Sequence, residues 1–330
     1  MEYLHRARKE GKKFLNPVPT EMATGGSMTG VLWKYLTNKA ETIPKHALGP
    51  FSTDVQIYKT TPSSGLRITW IGHSSVLIEI DGKRILTDPV WSSRASFSTV
   101  IGPKRFFAPP LALNDLPPLD AVIISHDHYD HLDKNAIHQL AHFAVPFYCS
   151  LGVGKYLQEW GVDKNRITEM DWTDETYIGD DCTLTAVPAR HFSGRSLNNR
   201  FETLWSAFII KGNRHNLFFG ADSGWFEGFK EIGNIHGPFD LTLLEIGAYN
   251  ESWADIHMGP QKATDAHLAL EGNLMMPIHW GTFNLALHAW NEPIEKLLQY
   301  AAGKDIKLFL PQPGIPTEVR GSYNSGWWNK

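Results

Sequence analysis

Apolar residues alternate with polar ones just after residue 65, and a helical spacing of three and four appears only further along the chain. Leu66–Ile71, Ser75–Ile80 and Lys83–Thr87 read as strands, the last two joined by Asp81-Gly82. Asp-Gly favours a two-residue hairpin turn because both positions take positive φ. The continuous β-branched run Ala121-Val-Ile-Ile-Ser (121–125) reads as a short buried strand. Further strands are expected at Phe147–Ser150, Leu184–Val187, Leu204–Ile210, Leu217–Gly220, Leu241–Ile246, Leu274–Ile278 and Lys307–Leu310. Helices are expected from the Asp133 cap to His142, at Gly154–Trp160 closed by Gly161, from Pro260 to Glu271 and at Pro293–Ala302. Hairpins followed by alternating strands and helices occur twice, which predicts two packed sheets with helices outside. Residues 1–65 are rich in Pro, Gly, Ser and Thr, with one helical patch at Val31–Leu36 that Ser27 would cap. They are expected to form an extension packing on a main domain at 66–330. The stretch 91–118, with its prolines and aromatics, reads as a long irregular loop over the site.

Composition narrows the classes. A hydrophobic fraction of 42% and a charged fraction of 20% describe an ordinary globular chain. The formal net charge of −4 gives no reason to expect nucleic-acid binding. Cys149 and Cys182 cannot make a disulfide framework and are expected as buried thiols of a reducing compartment. No run approaches the ~20 apolar residues of a membrane span, and the basic N-terminus lacks a signal-peptide core, so a cytoplasmic protein is expected. Twelve tryptophans exceed the usual need of a core. Packing in a β-rich interior is the plain explanation. Lining a substrate groove or touching a membrane surface peripherally is the other. Expected partners are a small-molecule or phospholipid substrate and, as for many soluble enzymes, a second copy of the chain.

The chemistry concentrates at His126-Asp127-His128-Tyr129-Asp130-His131, directly after the 121–125 strand. His126 and His128 can bind one ion, while Asp130 and His131 reach a second. Imidazole with carboxylate suits a catalytic, water-bearing metal. His191, Asp222 and His279 each follow the end of an apolar strand. Any one alone would suit a satisfied polar strand terminus, but together they complete the inventory of a two-metal site. In the expected arrangement His126, His128 and His191 hold the first ion, Asp130, His131 and His279 the second, and Asp222 bridges. Two divalent cations, less two carboxylates and one bridging hydroxide, leave +1, which suits a phosphodiester monoanion. Zinc is expected, with manganese and iron as alternatives.

At these residues the sequence resembles the metallo-β-lactamase superfamily, which implies a four-layer αββα sandwich. The segments Trp70-Ile-Gly-His-Ser-Ser-Val-Leu-Ile, Leu86-Thr-Asp-Pro, His191-Phe-Ser-Gly-Arg, Gly220-Ala-Asp-Ser-Gly-Trp-Phe and Ile278-His-Trp-Gly-Thr-Phe resemble the branch containing N-acyl-phosphatidylethanolamine phospholipase D. The resemblance implies a two-metal phosphodiesterase working through the bridging hydroxide. The branch is also similar to ascorbate-phosphate lactonases, so lactone or amide hydrolysis is the alternative. His257 resembles a histidine of this branch near the metals, and with Asp130 it is expected to be catalytic, protonating the leaving alkoxide or orienting the phosphate. A plain helix-capping histidine is the competing reading. His73 and Arg195 are the expected substrate contacts, and Asp88 is expected to hydrogen-bond the ligand loop.

Overall fold

The structure, a computed structural model, describes residues 2–22, 39–196 and 198–329. The expected helix at 31–36 lies outside them. A first sheet contains β1 (Leu66–Gly72), β2 (Ser75–Ile80), β3 (Lys83–Thr87), β4 (Ala121–Ile124), β5 (Phe147–Ser150) and β6 (Ile167–Met170), in that spatial order. The short strand Thr317–Glu318 pairs with the outer edge of β1. The β2–β3 turn places Asp81 at φ 47 and Gly82 at φ 90, as a tight hairpin requires. From β3 to β6 all pairings are parallel.

A second sheet repeats the plan with β7 (Glu175–Ile178), β8 (Cys182–Pro188), β9 (Ser206–Lys211), β10 (Asn216–Phe219), β11 (Phe239–Glu245) and β12 (Gly272–Ile278), again in spatial order. It is antiparallel from β7 to β10 and parallel from β10 to β12.

Period-two alternation decides which face each residue serves. Ile68, Trp70, Ile78 and Ile85 share one buried core with Leu184, Phe208 and Phe219 of the second sheet. Ile71, Leu77, Leu86 and Val122 point the other way, onto α1 (Lys134–Leu140) and α2 (Gly154–Glu159) through Ile137, Leu140 and Leu157. Outside the second sheet lie α3 (Gly228–His236), α4 (Gly259–Ala269) and α5 (Glu292–Ala302), with α4 packed on β11 and β12. The result is a four-layer αββα sandwich.

Asp133 caps α1 as expected, accepting from the Asn135 N–H. Strands β6 and β7 and helix α3 are not legible from periodicity. Strands β6 and β7 are edge strands whose side chains are largely solvated, so their apolar pattern is broken. Helix α3 carries two glycines. The surplus tryptophans are largely core: Trp70, Trp172, Trp205, Trp280, Trp327 and Trp328 are buried, and Trp70 stacks on Trp280 at 5.6 Å. Cys149 and Cys182 are free and buried. No helix among the described residues is long and apolar enough to cross a membrane.

The parallel strands bring their C-terminal ends to one rim, where β4, β11 and β12 deliver the loops at 125, 246 and 279. The rim is stitched across the sandwich by the His279 N–H donating to His73 O at 3.1 Å. It is also strained: His73, Asp88, Ala221 and His279 all have positive φ. Non-glycine residues adopt that region rarely, and such strain gathers at functional sites.

Candidate metal centre

All seven expected ligands converge at this rim. His126 Nε2 lies 2.9 Å from His128 Nδ1, and His191 Nε2 lies 3.3 Å from the same atom. In the neighbouring group, Asp130 Oδ2 is 3.3 Å from His279 Nε2 and 3.8 Å from His131 Nε2. Asp222 stands between them. Its Oδ2 is 3.1 Å from His131, 3.2 Å from His279, 3.6 Å from His191 and 3.9 Å from His126. Nitrogen donors about 2.1 Å from a tetrahedral ion sit about 3.4 Å apart, so these separations match the edges of coordination polyhedra.

The outward ring nitrogens of the cluster are held by fixed partners. The His191 Nδ1–H donates to Ile256 O at 2.9 Å, and the His131 Nδ1–H donates to Asp88 Oδ2 at 2.7 Å. Ser125 Oγ gives its own proton to Asp88 Oδ2 at 2.6 Å, so it accepts from His126 Nδ1 at 2.9 Å. A neutral imidazole with one nitrogen donating outward presents a bare lone pair on the other. The inward nitrogens of His126 and His191 therefore turn lone pairs into the cluster, while that of His131 faces the Asp222 carboxylate at 3.1 Å. His131 Nε2, His279 Nε2 and Asp222 Oδ1 are buried without a hydrogen-bond partner. A buried cage of imidazole nitrogens and carboxylates fits divalent cations.

The electrostatics agree. Burial holds His126 and His191 well below the ordinary histidine range. Burial also depresses His131 and His279, but Asp222 and Asp130 outweigh it, lifting His131 well up and His279 to about 10. These carboxylates attract positive charge into the cage, as bound ions would supply.

Asp88, fully buried at φ 35, organises the ligand turn by accepting from His131, Ser125 N and Ser125 Oγ. Asp88→Asn should lower metal affinity by about 10–100-fold with the fold intact, measurable by competition with a chelator. The N-terminal segment clamps the other ligand loop. Asn16 Nδ2 donates to His191 O, and the His191 N–H donates back to Asn16 Oδ1.

His73, expected as a substrate contact, is buried and bonds Asp130 Oδ2 through Nε2 at 3.0 Å. It joins Asp130, His131 and His279 in one group of ligand atoms within 4.8 Å of one another. Burial, then His279, pushes it down to about 3, so it stays neutral and donates to the carboxylate. Arg195 is placed as a brace beneath the ligand turn. Its Nη1 donates to Asp127 O and Leu132 O, and its guanidinium covers the Tyr129 ring at 3.9 Å.

His257 lies beside the cluster, its ring 5.1 Å from that of His191 and 5.4 Å from that of His279. Its Nδ1 bonds Glu245 Oε2 at 2.6 Å. Burial works to depress His257, yet Glu245 outweighs it and the net shift is upward. Glu245 was missed by sequence reasoning. It sits at the end of β11 and obeys the strand-end rule that exposed Asp222 and His279. Its Oε1 accepts from Ser223 N and Met258 N, tying the Asp222 loop to the His257 loop.

Comparison with known proteins agrees with this geometry. The family model described as the β-lactamase superfamily domain matches residues 83–280. An uncharacterized protein of Mycobacterium tuberculosis is 44% identical over 322 residues, 96% of this chain and 85% of its own length. The N-acyl-phosphatidylethanolamine-hydrolyzing phospholipase D 1 of Caenorhabditis elegans is 36% identical over 257 residues, 74% of this chain and 72% of its own. A metallo hydrolase structure from Ignicoccus hospitalis superposes with a TM-score of 0.60 at 21% identity, covering 77% of this chain and 98% of that one. The last supports the fold, and the first three place the sequence. The chain belongs to the metallo-β-lactamase superfamily, as a metal-dependent hydrolase resembling its N-acyl-phosphatidylethanolamine phospholipase D branch.

Proposed function

We propose that this hydrolase cleaves phosphodiesters, of the N-acylated phosphatidylethanolamine type or a close relative, with two zinc ions. The observation that carries the reading is His257, held by buried Glu245, set beside the buried cluster of histidines and aspartates. An alkoxide leaving group needs a proton donor, and a positioned acid contributes roughly 10²–10⁴-fold. The 36% identical relative named as a phospholipase D favours a phosphodiester over a carbonyl substrate.

His126, His128 and His191 would hold one cation, Asp130, His131 and His279 the other, and Asp222 both. When bound, such ions supply Lewis acidity and lower the pKa of coordinated water. The protein's share is orientation. Asp88 and Ile256 O fix the ligand tautomers, His73 steadies Asp130, and Glu245 keeps the His257 Nδ1 protonated so that Nε2 is the nitrogen left to exchange a proton with substrate. Side chains that reach solvent at the site include His128, Asp130, with 16% of its surface exposed, and His257, with 13%. A substrate arriving there meets the acid and the ligands together.

Parallel assays of the metal-loaded protein on bis(p-nitrophenyl) phosphate, a six-membered lactone and an anilide test the reading. Phosphodiester turnover should lead. Turnover of the lactone or anilide with none of the phosphodiester would move the protein to carbonyl hydrolysis on the same fold.

A further inference from the structure

The three most exposed large apolar side chains among the described residues are Phe97 at 81%, Val100 at 73% and Ile101 at 67%, all within five residues of one loop. Scattered apolar exposure is ordinary, but clustering of this kind marks an interaction surface.

The loop is built to hold them outward. Its stem is an antiparallel bridge between Arg94 and Lys104, extended by Ala95 N to Pro103 O at 3.0 Å and Arg105 N to Ser93 O at 2.9 Å. Arg94 reaches across the tip, donating to Thr99 O and Gly102 O. Ser98 Oγ accepts from the N–H groups of Val100 and Ile101. Gly102 turns the chain at φ +107, where a Cβ would meet Ser96 at 2.5 Å. A loop whose backbone is pinned at this many points loses little entropy on docking.

Its collar is basic although the chain is net negative. A groove of about 550 Å³ beside the stem is lined by Lys45, His46, Arg94 and Lys104, with Ile43, itself 58% exposed, and without a carboxylate. Lys45 is paired with Glu41, whereas Lys104 has no carboxylate partner among the described residues. On the loop's other side Arg94, Lys134 and Arg195 share the lining with the carboxylates Asp133 and Glu159, so positive charge there is largely offset. Apolar side chains at a tip above unpaired cations match an anionic lipid interface, where acyl chains take the first and head groups the second.

The stem also reaches the metal centre's wall. The Phe106 N–H donates to Thr282 O at 2.8 Å, Arg105 bridges to Phe283, and the Phe283 ring meets His73 at 5.3 Å.

We propose that the Phe97–Ile101 tip and its Arg94–Lys104 collar dock the protein on an anionic phospholipid bilayer. This does not depend on which bond the site cleaves, because docking is read separately from turnover. The test is flotation of the full chain with vesicles of phosphatidylglycerol and phosphatidylcholine, beside vesicles of phosphatidylcholine alone. The wild type should float with the anionic vesicles. The triple variant Phe97→Ser/Val100→Ser/Ile101→Ser should lose about tenfold or more of the bound fraction. Lys104→Glu should lose binding on the anionic vesicles only. Far-ultraviolet circular dichroism and bis(p-nitrophenyl) phosphate turnover in solution should be unchanged in both. A wild type that stays unbound at either composition, or a triple variant that floats like it, would overturn the proposal. So would a tip that alters only concentration-dependent mass in light scattering, which would give the surface to a second copy of the chain.

Discussion

Asp222→Ala should abolish hydrolysis to within the noise of most assays, a loss of about 10³-fold or more. Asp222 Oδ2 lies within 4 Å of histidine nitrogens from both ligand groups. Its removal takes away the oxygen that stands between the two groups, and with it the negative charge that lifts His131 and His279. A metal ion supplies several kcal/mol of transition-state stabilisation, and each 1.36 kcal/mol is about tenfold in rate, which sets the scale of the loss. Asp222→Asn keeps the shape and removes the charge, so it separates charge from packing. It should fall nearly as far, with metal content dropping below that of the wild type. Melting curves of the apo-proteins check that neither variant owes its loss to unfolding. A variant within tenfold of wild type would mean that Asp222 holds no ion.

His257→Ala should lower kcat by roughly 10²–10⁴-fold while leaving metal content unchanged. Its Nδ1 is committed to Glu245, so only its other nitrogen is free to exchange a proton. The sign of the pH dependence follows from the same pair. An acid works in its protonated form, so the rate falls as pH rises through the pKa of His257. The Glu245 carboxylate moves that pKa above the ordinary histidine value, which extends the active range upward. His257→Ala should therefore flatten the alkaline limb of the rate profile, and Glu245→Gln should shift it to lower pH. A leaving group that needs no protonation, such as p-nitrophenolate, should suffer less from His257→Ala than an alkyl leaving group. Equal losses on both would assign His257 to positioning rather than proton transfer.

The candidate ligand cluster was legible in the sequence because chemistry and pattern coincide there. His191, Asp222 and His279 each follow an apolar strand end, and parallel strands in an α/β sandwich bring such ends together. Asp88 was legible for the same reason. Glu245 obeys the rule yet was passed over, because a single carboxylate closing a buried strand looks like an ordinary boundary; only its two loop N–H donors and His257 reveal its task. His73 was placed at the pocket, but its bond to Asp130 depends on a backbone φ of 57 at a strand turn, which spacing does not encode. Arg195 follows a ligand histidine in sequence, and its direction is set by carbonyls of residues 127 and 132, distant along the chain. Among the elements, the hairpin and central strands followed from alternation. Strands β6 and β7 did not, since tertiary pairing at a sheet edge overrides a weak apolar pattern.

The rim is expected to hold two cations. Titrating metal-free protein with zinc, while following bound metal per chain by elemental analysis after desalting, measures this directly. Two equivalents per chain in the wild type, falling to one or fewer in Asp222→Ala, are expected. One equivalent or none in the wild type, with the fold intact, would mean that the rim is not a two-metal site.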